Sequence, residues 1–114
     1  MEFSTEYTDG VLIARVGGRI DGANADDFEM AMQTGIRNFE GPFIIDCEGL
    51  SYISSVGMRA ILTIAKTLGE RNAKFAICSL SDPIAELFRI SGFGQVMSIH
   101  SSRSDAIAWI TQPA

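Results

Sequence analysis

The spacing of apolar and polar positions changes several times along the chain, and each change marks an element. Phe3 to Tyr7 and Val11 to Val16 read as two strands. Thr8-Asp9-Gly10 between them is a hairpin signal, because Asp-Gly suits a tight turn that needs positive φ. Gly17-Gly18 then breaks the strand pattern. From about Asn24 to Asn38 the period lengthens: Phe28, Met32 and Phe39, with Ala25, Ala31 and Ile36, recur at helical steps. Asp26, Asp27 and Glu29 stand near the start of that helix, where acids suit its dipole. Gly41-Pro42 ends it, and Phe43-Ile44-Ile45-Asp46-Cys47 is a short apolar run of the kind a buried strand presents.

A second helix is expected from Val56 to Leu68, with Met58, Ile61, Leu62, Ala65 and Leu68 on one face and Gly69 placed as its stop. Lys74 to Leu80 reads as a strand. Ser81-Asp82-Pro83 is a helix start, a capping side chain followed by proline in the first turn. Ile84, Leu87 and Phe88 are expected on the inner face of that helix, and Gly92 follows its end. Val96 to Ile99 is a last strand, and Ser104 to Ile110 a closing helix with Ile107 and Ile110 turned inward. The order β-β-α-β-α-β-α-β-α predicts an α/β domain spanning residues 1–114, with a mixed, largely parallel sheet and covering helices.

Length and charge narrow the function. At 114 residues the chain is the size of one domain, and 46% hydrophobic with 20% charged residues suits a folded one. A formal net charge of −5 gives no general attraction to nucleic acid or anionic lipid. No apolar run is long enough to cross a bilayer, and the first residues lack the basic-then-apolar pattern of a signal peptide. Cys47 and Cys78 form no C-x-x-C pair; they read as buried thiols of a reducing cytoplasm, with a disulfide as the alternative.

Enzyme chemistry finds little support. His100 is the single histidine and has no matching nucleophile arrangement nearby. Cys47, Cys78 and His100 lack the spacing of a zinc site. Gly92-Phe93-Gly94 begins like a dinucleotide fingerprint, yet it follows a helix and precedes a strand, the reverse of what phosphate binding needs. The sequence therefore offers no catalytic set, no metal site and no cofactor site.

What remains is Leu50-Ser51-Tyr52-Ile53-Ser54-Ser55-Val56-Gly57-Met58-Arg59. Two hydroxyls stand directly before a helix. A serine there caps a free backbone N–H, for roughly 1 kcal/mol. The same turn presents unpaired N–H groups and partial positive charge, so a phosphate is well received.

At this segment the sequence resembles the STAS domain, the sulphate transporter and anti-sigma antagonist module, and within it the bacterial anti-sigma factor antagonists. Gly18-Arg19-Ile20-Asp21-Gly22-Ala23-Asn24-Ala25 is similar to the stretch before that family's first helix. Ile44 to Arg59 resembles its signature strand, loop and helix start, and Ser91-Gly92-Phe93 its later S-G-[LF] element. The resemblance implies a small α/β fold with about four helices packed mainly on one side of the sheet. It also implies a non-enzymatic regulator that binds an anti-sigma factor with serine kinase activity. That kinase brings the ATP, phosphorylates the start of the second helix and so breaks the complex; a phosphatase resets the cycle.

By resemblance the acceptor falls on Ser55, with Ser54 as the alternative. Asp21, Gly22, Ser54, Ser55, Gly57, Met58 and Arg59 are the implied partner contacts. Met58 reads equally as core packing, Asp21 as a turn or helix cap, Arg59 as a solvated side chain, and Gly57 as relief of a clash. The antagonists often carry D-S-[ST]-G where this chain has Ser54-Ser55-Val56-Gly57. That departure keeps open a second function, an unphosphorylated STAS scaffold or small-ligand subunit of a transport or sensory complex.

Overall fold

A computed structural model describes residues 1–113. Five strands form one sheet in the order β1(Glu2–Thr8), β2(Val11–Ile20), β3(Phe43–Ile53), β4(Phe75–Cys78), β5(Ser98–His100). β1 and β2 are an antiparallel hairpin; the other neighbours are parallel. The hairpin turn is Asp9-Gly10, both at positive φ (55° and 79°), the conformation a two-residue hairpin turn of matching twist requires.

Three helices cross between parallel strands: α1(Ala25–Arg37), α2(Ser55–Glu70) and α3(Asp82–Ile90). The strands add in one direction, so crossovers of one hand put all three helices on the same face. There Phe28, Met32 and Ile36 of α1, Ala60, Ile61, Ile64 and Leu68 of α2 and Phe88 of α3 join Leu12, Ile45 and Ile77 of the sheet in the main core. The last helix, α4(Arg103–Ile110), folds onto the opposite face and buries Ala106 and Ile110 against Val11, Ile13, Ile44 and Ala76. A short 3-10 turn at Phe93–Gln95 follows α3 and seats Phe93 edge-on against Phe88, with ring centroids 5.1 Å apart.

Every expected element is present, but four expectations change. Gly69 does not stop α2, which runs on to Glu70, and the left-handed residue beyond it is Asn72 (φ 55°). Gly17-Gly18 does not end β2. The strand runs on to Ile20, and β3 matches it with extra residues where the register shifts, Gly17 pairing Gly49 and Arg19 pairing Tyr52. The two backbones approach so closely there that a Cβ on Gly49 would lie 3.2 Å from Gly17 Cα. Leu87 does not turn inward; it is 44% exposed, and the inner face of α3 is Ile84 and Phe88. Phe39 lies beyond α1 and meets Tyr7 edge-on.

The single buried charge of the described residues is Asp46 on β3. Its Oδ2 accepts from Arg103 Nε at 2.9 Å and its Oδ1 from the Glu48 N–H at 3.0 Å. Arg103 also donates to Glu6 at 2.9 Å, so its guanidinium pins the start of α4 to both β3 and β1. Burial opposes the charge on Arg103, but these two carboxylates outweigh it and hold the group firmly protonated. Cys47 lies in the main core and Cys78 in the α4 cluster, on opposite faces of the sheet, and both are free thiols. His100 sits at the end of β5, bonded to Ser98 at 2.7 Å and tilted against Trp109.

Candidate functional site

Both halves of the singled-out segment converge where β2 and β3 end. The Ser54 N–H donates to the Ile20 carbonyl at 2.8 Å, joining the start of α2 to the end of β2. Directly after Ile20, Asp21 starts a tied turn. Its N–H donates to Asn24 Oδ1 at 2.9 Å, and its Oδ1 accepts from the Ala23 N–H at 3.0 Å. Its carbonyl accepts from the N–H groups of Asn24 and Ala25. Asp21 is therefore a turn-former, half-buried, beside an exposed Gly22 around which nothing lies within 4 Å of an added Cβ.

The two serines part company. Ser54 is the N-cap: its backbone is extended and its Oγ accepts from the Gly57 N–H at 3.2 Å. Ser55 is the first helical residue; it is exposed and makes no side-chain hydrogen bond. Since Asp and Ser cap about equally well, serine in place of the common aspartate keeps this role. No acid occupies the first turn of α2, whereas α1, α3 and α4 carry Asp26 and Asp27, Asp82, and Asp105 there. The partial positive charge at this end is left uncompensated.

Gly57 does not share the exposed face. It is buried, and a Cβ on it would meet Ile20 Cγ2 at 2.7 Å and Ile53 Cγ1 at 2.8 Å. Its part is to let the first turn of α2 sit down on the strand ends. Met58 is half-buried: it packs on the core and also lines a groove. That groove, of about 240 Å³, runs between α2 and the turn after α3, and Ser55, Met58, Arg59, Leu62, Ser91 and Phe93 line it. Arg59 is exposed, one turn along from Ser55. Outside the groove, Val56 on α2 and Leu87 and Ile90 on α3 expose apolar surface, Ile90 at 67%.

A profile of the STAS domain matches residues 2–106. The chain belongs to the STAS domain family. Its sequence is 33% identical over 108 residues to BtrV of Bordetella bronchiseptica, provisionally named an anti-sigma factor antagonist; the match covers 95% of this chain and 93% of that one. It is 26% identical over 108 residues to the anti-sigma F factor antagonist of Paenibacillus polymyxa, covering 94% and 92% of the two chains. The fold is that of an anti-sigma factor antagonist from Mycobacterium paratuberculosis, with a TM-score of 0.89 at 20% identity over 97% of this chain and 94% of that one.

In this STAS domain the sequence-expected residues Ser54, Ser55, Met58 and Arg59 lie within the cap and first two turns of α2, and the Asp21-Gly22 loop lies beside them through the Ile20–Ser54 bond. Sequence reasoning missed Leu62, Ser91 and Phe93 as walls of the same groove, and Leu87 and Ile90 as exposed apolar positions. Ser91-Gly92-Phe93 did stand out as a motif, but only the fold brings it against α2.

Proposed function

We propose that this chain acts in the cytoplasm, as one STAS domain throughout, and is an anti-sigma factor antagonist rather than an enzyme. The turn that opens α2 docks an anti-sigma factor with serine kinase activity. Phosphate placed on Ser55 ends that binding, and a phosphatase restores it. The family membership and the names of the relatives support the antagonist role.

One observation carries the choice of Ser55: of the two adjacent hydroxyls, Ser54 is spent on the helix cap while Ser55 is exposed and unbonded. A phosphate there adds about −1.5 to −2 charge beside the free helix N-terminus and within a turn of Arg59. Ser55 is exposed, so the free domain leaves the phosphate in water, whereas a partner seated on Met58, Val56 and Leu62 would have to bury it beside apolar surface. The chain brings no nucleotide of its own; ATP enters with the kinase.

The test is incubation of the purified protein with ATP and a purified anti-sigma factor kinase of its own organism, read by phosphopeptide mass spectrometry and by calorimetric titration. Phosphate is expected on Ser55 in the wild type and in Ser54→Ala, and is lost in Ser55→Ala. Ser55→Asp is expected to bind at least tenfold more weakly. Phosphate found elsewhere, or Ser55→Asp binding as tightly as wild type, defeats the proposal.

A further inference from the structure

The two edges of the sheet are treated very differently. β5 spans only Ser98–His100, too short to offer a template. β1 runs seven residues, Glu2 to Thr8, and pairs with β2 without a bulge along its whole length. It carries no proline and no lysine, so the usual devices that blunt an edge are missing apart from Glu2 and Glu6.

The hairpin fixes which backbone groups that edge presents. A two-residue turn at Asp9-Gly10 makes Thr8 and Val11 a hydrogen-bonded pair. By alternation, Glu2, Ser4, Glu6 and Thr8 point their N–H and C=O groups at β2. Phe3, Thr5 and Tyr7 point theirs outward. The side chains of these same three residues lie on the α1 face, since their partners Val16, Ala14 and Leu12 belong to the main core. Tyr7 is 65% exposed, and Met30 on α1 is 66% exposed beside Phe3. Between Phe3 and α1 lies a groove of about 400 Å³ lined by Phe3, Asp27, Met30, Ala31 and Thr34.

We propose that β1 is a self-association edge: two copies of this chain pair β1 against β1 about a two-fold axis at Thr5, making a continuous ten-stranded sheet. Only outward-facing residues can exchange hydrogen bonds, which leaves five antiparallel registers inside the strand, and those that pair Phe3 with Phe3 or Tyr7 with Tyr7 overlap at a single bonded pair. Pairing Phe3 with the second copy's Thr5 sets Glu2 against Glu6. Pairing Thr5 with the second copy's Tyr7 sets Glu6 against Glu6. Pairing Thr5 with Thr5 opposes no two glutamates: Glu6 meets Ser4 and Glu2 meets Thr8. It also yields the most bonds, from Phe3–Tyr7, Thr5–Thr5 and Tyr7–Phe3. In this register each Tyr7 ring lies opposite the other copy's Phe3, at the mouth of the groove beside Met30. None of these residues lines the groove at Ser55, so both faces can be occupied together.

The test is sedimentation velocity on the full chain from about 10 µM to about 1 mM, since a contact of one strand and two aromatic rings lies at the small end of stable interfaces. The expected result is a shift from the mass of one copy to that of two. Thr5→Pro removes an outward N–H that β2 does not use, and Thr5→Lys brings like charges together at the axis. Both are expected to stay at single-copy mass with wild-type circular dichroism and melting temperature. Across a hydrogen-bonded antiparallel pair the Cα atoms lie about 5.5 Å apart, within disulfide range. Thr5→Cys is therefore expected to cross-link on mild oxidation at least tenfold faster than Ser4→Cys. Single-copy mass at every concentration overturns the proposal. So does association that survives both Thr5→Pro and Thr5→Lys, or equal cross-linking at positions 4 and 5.

Discussion

Adding one methyl group at Gly57 tests how the candidate site is seated. In an exposed helix, Gly→Ala stabilises by about 0.5–1 kcal/mol, because glycine gives up more backbone freedom on folding. At Gly57 the new Cβ would stand 2.7 Å from Ile20 Cγ2, 2.8 Å from Ile53 Cγ1 and 3.3 Å from Ile20 Cβ. Carbon atoms pack best at about 3.5–4.0 Å, so helix and strand ends must part by close to 1 Å. Ile20 is wholly buried and Ile53 nearly so, which leaves neither side chain room to swing aside. Overpacking of this kind costs about 1–3 kcal/mol, and it outweighs the helical gain, so Gly57→Ala is expected to destabilise by about 1–2 kcal/mol. Gly35 on α1 is the internal control: its added Cβ meets only Leu12 Cδ2, at 3.7 Å, an ordinary contact. Gly35→Ala should stabilise by about 0.5–1 kcal/mol. Urea denaturation of the three proteins measures this as shifts of the midpoint in opposite directions at unchanged slope. If Gly57→Ala unfolds at or above the wild-type midpoint, the tight seating of α2 on Ile20 and Ile53 is wrong.

Four further outcomes are expected. Ser54→Ala loses the cap on α2 and about 1 kcal/mol of stability, while Ser54→Asp keeps it and Ser55→Ala leaves the urea midpoint within error. Arg103→Ala strips a buried carboxylate of its ion pair and is expected to cost about 2–4 kcal/mol, the lower part of the range reflecting the 29% exposure of the arginine side chain. Burial pushes the Cys78 thiol up to about 11 and Cys47 well above its ordinary value. Neither should therefore react with a disulfide reagent at pH 8 unless the protein is unfolded. Because the fold favours the neutral Cys78 thiol, the stability it contributes is whole below about pH 9 and is lost as pH rises towards 11. The loss is of order 2–3 kcal/mol, and Cys78→Ala should make that part of a denaturation-versus-pH curve less steep, with Cys47 supplying the remaining fall.

The order of elements was legible because each βα unit is short and its periodicity changes cleanly, from the Asp9-Gly10 turn through the Ser81-Asp82-Pro83 start. Gly17-Gly18 misled because a glycine pair reads as a break, while here it permits close approach to Gly49 inside a continuing strand. Leu87 misled because a nine-residue helix buries only a narrow stripe, and Ile84 and Phe88 fill it. At the site, local spacing placed the hydroxyls at the right turn but did not say which one caps. That depends on the extended backbone of Ser54 and the bond from Gly57. The walls of the groove from Ser91 and Phe93, and the Asp46–Arg103 pair 57 residues apart, are tertiary facts with no local signal.

That same guanidinium also decides how the molecule would come apart under tension. It joins α4 to Glu6, 97 residues earlier, as well as to Asp46, so the first strand and the last helix are clasped by one side chain. Force applied between these two elements falls first on the Glu6 contact, which is half open to water, and then on the shielded Asp46 contact. Once both yield, α4 peels from Val11, Ile13 and Ile44, while the parallel strands β2, β3 and β4 remain covered by α1 and α2. In a single-molecule pulling trace this gives an early small extension before the main rupture, and Arg103→Ala removes the threshold for that early step.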